Sequence, residues 1–381
     1  MKDKKIAFCI DIIEFQGNQV FDEDWAKKFP GSLWLYHLYQ LCIHLEISLC
    51  SGDIALNHVK TGYWDARDVL LIQELNSYHG SMLRKLGARP LLLTAFESPL
   101  YAYQFYDSLP FNYKEFSCRI LFSGVYGSLI PVHKPGNNTL FFPSFDQNNV
   151  GQIIDWEKRK NLVLVAANKY YGQPIKIPLY KNPKYYLVWL RDIFQKMKSL
   201  SRRKAIQNQL HDIRLDLIKF FIDCEELDIY GAGWIDQSRL PKKKWDWLKK
   251  SILKQNITTC PNKQLVMSNY RFAICFENIS YPGYVTEKII DCFVAGVIPV
   301  YYGAPDIADF IPSNLFIDAS KFKSPQLLRE HLISISETDA MSMIRSAKAF
   351  LSSEAGHKFS YQGFARKVLS LILKKDIINA P

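Results

Sequence analysis

A twice-repeated alternation constrains this chain more than any other feature. Short apolar runs, of the length of a buried strand, are separated by longer stretches whose apolar residues recur at three- and four-residue steps. Such alternation specifies parallel sheets covered by helices. In the first half the runs are Ile6–Ile10, Val69–Ile72, Pro90–Thr94 and Arg119–Phe122, with a helical stretch around Trp34–Glu46. The pattern restarts at Leu162–Ala166 and continues through Leu227–Tyr230, Phe272–Phe276, Val297–Tyr301 and Leu315–Ile317. Between these runs, Ser201–Asp223 reads as one helix with Ile206, Leu210, Ile213, Leu217 and Phe220 on its apolar face. Lys242–Lys254 reads as a basic helix, and Val285–Ala295 as a helix closed by Gly296. The polar stretch Asn148–Lys160 divides the two series, and 381 residues suit two domains. The expectation is an α/β chain with domains at 1–155 and 156–355, a ligand cleft between them, and a C-terminal amphipathic helix in 356–381.

Charge and cysteine usage narrow the function classes. Lys and Arg number 48 against 37 Asp and Glu, a net +11, which favours an anionic partner: nucleic acid, a phosphorylated ligand or an acidic membrane. No helix-turn-helix, paired RNA-binding aromatics or zinc finger supports nucleic acid. The cysteines Cys9, Cys42, Cys50, Cys118, Cys224, Cys260, Cys275 and Cys292 form no CxxC pair. Several lie in apolar runs, which predicts buried free thiols and a reducing compartment. The apolar run after the basic start is too short for a signal peptide, and no stretch reaches the ~18 apolar residues of a spanning helix. The expected location is therefore cytoplasmic, and sequons at Asn137, Asn256 and Asn278 carry no meaning there. The basic, amphipathic segment from Gly363 to Lys375 either packs on the body or attaches to the anionic inner face of a membrane.

One segment concentrates the chemistry. Tyr270–Asn278 is a buried strand running into a polar loop with Pro282 and Gly283, and a helix opens at Thr286-Glu287-Lys288. In an open α/β sheet, ligands bind beyond the carboxyl ends of strands. Thr286 can cap the helix, whose amides and dipole favour a phosphate, and Lys288 adds a full charge. Glu287 can accept hydrogen bonds from sugar hydroxyls. An ordinary capped first turn explains the same three residues. Asp291 shares a helix face with Glu287, so two acids repel there and need a reason to be adjacent.

These residues resemble the α1,3/α1,4-fucosyltransferases that use GDP-fucose. The resemblance runs through Phe276-Glu277-Asn278, Tyr284-Val-Thr286-Glu287-Lys288, Ala295-Gly296, Pro299-Val300, Gly303-Ala304-Pro305, Ile311-Pro312, and Phe316-Ile317-Asp318 with Phe322. Phe96-Glu97-Ser98-Pro99 is similar to the family's acceptor segment, and Arg214 stands at the spacing of a family arginine ahead of the Leu227–Tyr230 strand. Val165-Ala-Ala-Asn168 resembles the strand that opens the nucleotide domain, and Phe111-Asn112-Tyr113 a family stretch beyond the acceptor segment. Leu121-Phe-Ser-Gly-Val-Tyr126-Gly127 departs from the family in lacking acidic residues, which bears on the acceptor. Likeness extends from about residue 90 to 325 and is weak before it.

The resemblance implies two Rossmann-like domains facing a cleft, the GT-B type, with 1–155 binding the acceptor and 156–355 the GDP-sugar. It implies transfer of fucose from GDP-fucose, with inversion, to the 3- or 4-hydroxyl of an N-acetylglucosamine-type sugar on an oligosaccharide or glycolipid. Glu97 is the implied general base, facing Glu287, which holds fucose hydroxyls and supports the cationic anomeric centre. Arg214 and Lys288 stabilise the departing diphosphate. Asn278, Tyr284, Thr286, Tyr230 and Gly231 join the donor site, and Phe96, Ser98 and Pro99 meet the acceptor. Asn278 tying off its loop and Tyr284 packing are the plainer alternatives. No metal is strictly required, since Asp306-Ile-Ala-Asp309 lacks the partners of a metal site; stimulation by a divalent ion stays open. A transferase with another nucleotide-sugar donor, and a non-catalytic glycan- or anion-binding homologue, remain the alternatives.

Overall fold

The computed structural model describes residues 4–112, 115–116, 118–121, 142–147, 154–170, 183–254, 257–258, 260 and 262–373. The chain divides into two compact units, 1–147 with 354–381, and 148–353. The division thus falls before the expected residue 155, and the chain end belongs to the first unit. Tyr113, 122–141 with Tyr126, Gly127 and Asn137, Asn256, and the basic Lys374 and Lys375 lie outside the described residues.

The first unit is built on β1 (Lys5–Cys9), β2 (Ser48–Ser51), β3 (Val69–Glu74), β4 (Arg89–Ala95) and β5 (Cys118–Leu121). They pair in parallel in the order β2-β1-β3-β4-β5. Four strands match the apolar runs; β2, with the sequence Ser-Leu-Cys-Ser, is too short and polar to stand out. The helices α1 (Glu23–Lys28), α2 (Leu33–His44), α3 (Gly52–Lys60), α4 (Tyr78–Lys85) and α5 (Tyr103–Asn112) accompany the sheet.

The second unit carries β6 (Lys160–Val165), β7 (Leu227–Tyr230), β8 (Tyr270–Phe276), β9 (Ile298–Tyr302) and β10 (Ile317–Asp318) in the parallel order β10-β9-β8-β6-β7. Every residue of β8 except Arg271 is buried, as expected of a strand covered on both faces. Its helices are α6 (Pro183–Lys198), α7 (Leu200–Gln207), α8 (His211–Asp223), α9 (Lys242–Ile252), α10 (Lys263–Ser268), α11 (Glu287–Ala295), α12 (Pro325–Ser334) and α13 (Glu337–Leu351). The chain goes from β6 to β7 on one side and returns to β8 on the other. The carboxyl ends of β6 and β8 therefore flank the topological switch point, where this fold class binds ligands.

The single helix expected over 201–223 is two helices, broken at 208–210. The break pairs with the loop after β8. Leu210 N donates to Asn278 O at 3.1 Å, Ser280 N donates to Asn208 O at 2.7 Å, and Gln209 bridges Ile279. Gln209 Oε1 then accepts from the His211 and Asp212 amides, starting α8 afresh. Periodicity misses the break because these bonds join residues far apart in sequence.

The last described helices are α14 (Glu354–His357) and α15 (Tyr361–Leu373). Of the two readings of this segment, packing on the body is the one the helix follows. Tyr361, Phe364, Ala365, Val368, Leu369 and Ile372 of α15 are buried in the same core as Trp34, Leu38 and Phe8. The Trp34 and Phe364 rings meet edge-on with centroids 4.9 Å apart. Each fully buried large apolar side chain is worth about 1.5–3 kcal/mol, so this face is committed to the fold rather than to lipid.

Candidate active site

The donor-side candidates assemble at the switch point of the second unit. Beyond β8, Glu277 is 1% exposed, and a carboxylate so placed needs partners. Its Oε1 accepts from Thr286 N at 2.8 Å, and the Thr286 hydroxyl lies 2.9 and 2.8 Å from the two carboxylate oxygens. Lys288 Nζ donates to Oε2 at 2.8 Å. The sequence reading is corrected on one point: Thr286 precedes α11 without a side-chain cap bond, because its hydroxyl is turned to Glu277. The loop is held from the other side as well. Ser280 Oγ donates to Gly303 O at 2.9 Å, and Gly283 N donates to Asp306 Oδ1 at 2.7 Å. A Cβ on Gly303 would lie 2.3 Å from Tyr301 Oη and 2.6 Å from Glu277 Cγ, so the Gly-Ala-Pro turn admits no side chain there.

Glu287 and Lys288 sit in a chain of alternating charges. Lys288 Nζ is 3.6 Å from the half-exposed Glu287 carboxylate, and Lys263 on α10 meets Asp291 Oδ2 at 2.5 Å. Lys263 thus answers the crowding of Glu287 and Asp291. Burial alone would raise the Glu287 carboxyl, but Lys288 and Lys263 outweigh it and hold it at about 2. Burial opposes the Lys288 ammonium, yet Glu277 and Glu287 lift it above the ordinary lysine range. Asp291 is pushed up by burial, with Lys263 acting against the rise.

Arg214 reaches the same region through α8. It is buried, and its Nη2 lies 2.9 Å from Nδ1 of His211 one turn earlier. Burial and the Arg214 charge push His211 down to about 3, so the ring is neutral and its Nδ1 accepts from the guanidinium. Lys288 contributes to the same depression, which places both cations within electrostatic reach of one imidazole. His211 and Lys263 escaped the sequence reading. A histidine one turn before the arginine was the available signal for the first; the second comes from a separate helix.

The remaining donor-side residues divide. Asn278 is half-buried with its carbonyl taken by Leu210, and Tyr284 is 1% exposed. Gly231 keeps its place at the carboxyl edge with φ +129°, where a Cβ would lie 2.3 Å from Ala166 O. Tyr230 turns away: its hydroxyl is 3.2 Å from that of Tyr270, at the amino end of β8. Its side chain is not brought to Thr286 and Lys288.

In the first unit, Glu97 lies exposed two residues past β4. Its Oε1 accepts from Ser98 N at 2.9 Å, and its carbonyl accepts from Tyr106 Oη at 2.8 Å. Ser98 and Pro99 are buried. Phe96 is half-buried and packs edge-on against Phe142 and Phe364, a core role rather than an open contact surface. Glu74, closing the adjacent β3, is a neighbour the sequence did not single out. Burial, with a smaller contribution from the Glu97 charge, raises its carboxyl to about 7. Among the described residues, no group of three or more His, Cys, Asp or Glu is arranged to hold a metal ion.

Parts of the chain are similar to known proteins. Residues 195–344 match the model of glycosyltransferase family 10 (fucosyltransferase), C-terminal part. An α-(1,3)-fucosyltransferase, FucT, of Helicobacter pylori is 47% identical over 64 residues, 16% of this chain and 13% of that protein. An α-(1,4)-fucosyltransferase of Arabidopsis thaliana is 41% identical over 66 residues, 17% of this chain and 16% of that protein. The matched stretch thus spans well under a fifth of these curated relatives. A crystal structure of an α1,3-fucosyltransferase superposes with TM-score 0.52 at 16% identity, covering 99% of this chain and 92% of that one. The fold is that of GT-B glycosyltransferases, two Rossmann-like domains in one chain.

Proposed function

We propose that this protein is a fucosyltransferase that moves fucose from GDP-fucose to a hydroxyl of an acceptor glycan with inversion. The observation that carries the reading is the switch-point assembly in the second unit, with Lys288 and Glu287 on α11 and Arg214 on α8. It lies within the stretch that matches the fucosyltransferase family model. Arg214, Lys288 and the α11 amides offset charge growing on the β-phosphate as GDP departs. Glu287, ionised at about 2, faces the positive charge developing at the anomeric carbon. Glu97 takes the acceptor hydroxyl proton while that oxygen attacks, and the C–O bond to GDP breaks. The acceptor reading is the 3- or 4-hydroxyl of an N-acetylglucosamine-type sugar. No metal is strictly required, because protein cations supply the countercharge, and a divalent ion is left a stimulating role only; transfer should therefore persist in chelator. Cys9, Cys42, Cys50, Cys224, Cys260, Cys275 and Cys292 are free thiols, in keeping with a reducing compartment.

The test is a donor panel against a glycan array, with the anomer of the product read by NMR. Transfer from GDP-fucose giving a β-to-α inverted linkage supports the reading. Turnover of another nucleotide sugar alone replaces the donor. Donor binding without transfer to any glycan points to the non-catalytic homologue.

A further inference from the structure

Outside the switch point, the surface of α6 and α7 presents a stripe that a water-facing helix has no use for. Leu187, Leu190, Phe194 and Met197 recur at three- and four-residue steps along α6, and Leu200 is exposed at the start of α7, beyond the extended Ser199. Their exposures are 65, 43, 56, 69 and 64%. Single exposed leucines need no explanation, but four large apolar side chains in register on one helix, with a fifth just beyond it, do. The stripe is flanked by charge of one sign. Between Leu187 and Lys204 the sequence holds Arg191, Lys196, Lys198, Arg202, Arg203 and Lys204 against Asp192 alone. Arg191, Lys198, Arg203 and Lys204 are exposed, and the Lys198 ammonium lies 4.2 Å from the centroid of the Phe194 ring.

We propose that the α6–α7 face is a docking surface for an anionic lipid bilayer. An amphipathic helix with Leu, Phe and Met on one side and Lys and Arg along its border lies in the interface, its apolar stripe among acyl chains and its cations at the headgroups. The long basic side chains reach the phosphates while their stems stay with the apolar stripe. Charge decides between lipid and a second copy of this chain, because self-association through this face would bring two cationic borders together. The other basic helix, α9, makes no such stripe. Trp247 is its single exposed large apolar side chain, and Leu253 lies beyond the helix end. This inference stands apart from the proposed reaction, since none of its residues belongs to the switch-point assembly.

The test is flotation of the full chain with vesicles of equal parts phosphatidylcholine and phosphatidylglycerol, and with phosphatidylcholine alone. Binding is expected to the anionic vesicles only and to fall with salt. Phe194→Glu with Met197→Glu is expected to abolish flotation. Lys198→Glu and Arg203→Glu are each expected to lower the partition coefficient at least about fivefold. These side chains are exposed, so an unchanged melting temperature confirms folding. If a variant melts early, Phe194→Ser with Met197→Ser provides the same test. Equal flotation of wild type and the paired apolar variant, or no binding to anionic vesicles, overturns the proposal. So does a concentration-dependent dimer that the same substitutions dissolve, because the face then meets a second copy.

Discussion

Lys288 Nζ lies 2.8 Å from a carboxylate oxygen of Glu277, a residue only 1% exposed. The lysine is thereby fixed from behind before any ligand arrives. A buried pair is stable while both partners remain, and loss of one leaves the other charge uncompensated. Glu277→Gln should cost about 3–5 kcal/mol, read as a fall in melting temperature. Glu277→Gln with Lys288→Met should recover part of that loss. A double variant no more stable than the single one would show that the pair is not the unit.

Lys263 separates two acids. Lys263→Met should cost about 1–2 kcal/mol, a value discounted because a third of its side chain is exposed. It should also lift Glu287 above about 2. A carboxyl held low contributes stability above its unfolded pKa and loses it as pH falls through the folded value. The difference between variant and wild type should therefore be largest at neutral pH and shrink in acid. The acid limb of the kcat/KM profile should move to higher pH.

His211 acts on Arg214 through its neutral ring. His211→Asn keeps an acceptor for the guanidinium and should retain most activity. His211→Phe should raise KM for the donor about tenfold to a hundredfold, with a smaller effect on kcat. Neither wild type nor the Asn variant should show a titration assignable to this residue between about pH 5 and 8.

Glu74 has the opposite sign to Glu287. Its folded carboxyl is at about 7 against an ordinary 4.5, so the native state binds the proton more tightly than the unfolded chain. That residue costs stability progressively as pH rises through this window and fully above it. Glu74→Gln should stabilise by roughly 1–3 kcal/mol at pH about 8 and by nothing at pH about 4, measured by denaturant unfolding.

Gly303→Ala tests the turn under Glu277. With Tyr301 Oη 2.3 Å from the new Cβ, the loop must shift, at a cost of about 1–3 kcal/mol or more. If Gly303→Ala melts with the wild type, the turn is looser than its geometry states.

Local pattern carried most of the fold, and the failures have a shared cause. The apolar runs located the long strands because a strand covered on both faces must be apolar throughout. Ser48–Ser51 stayed hidden because a short strand with polar ends has no such signature. The break at 208–210 is imposed by the loop at 278–280, nearly seventy residues on, and no window over one helix contains that information. The motif around Thr286-Glu287-Lys288 was legible as a cluster. Its inner wiring was not, since whether a threonine caps a helix or turns to a carboxylate depends on what the preceding strand buries. Tyr230 and Phe96 show the same limit: their places in sequence were clear, but the directions of their side chains follow from Tyr270 and from Phe142 with Phe364.

The residence of α15 in the first unit's core has a consequence for how the chain comes into being. Trp34 waits for Phe364, which is translated only after the whole of 148–353. During synthesis the second unit has all of its own residues first, while the first keeps apolar surface uncovered until α15 leaves the ribosome. A premature stop between residues 353 and 361 would therefore leave the second unit with its full sequence. It would instead unmake the core of the distant N-terminal sheet, on which Glu97 stands.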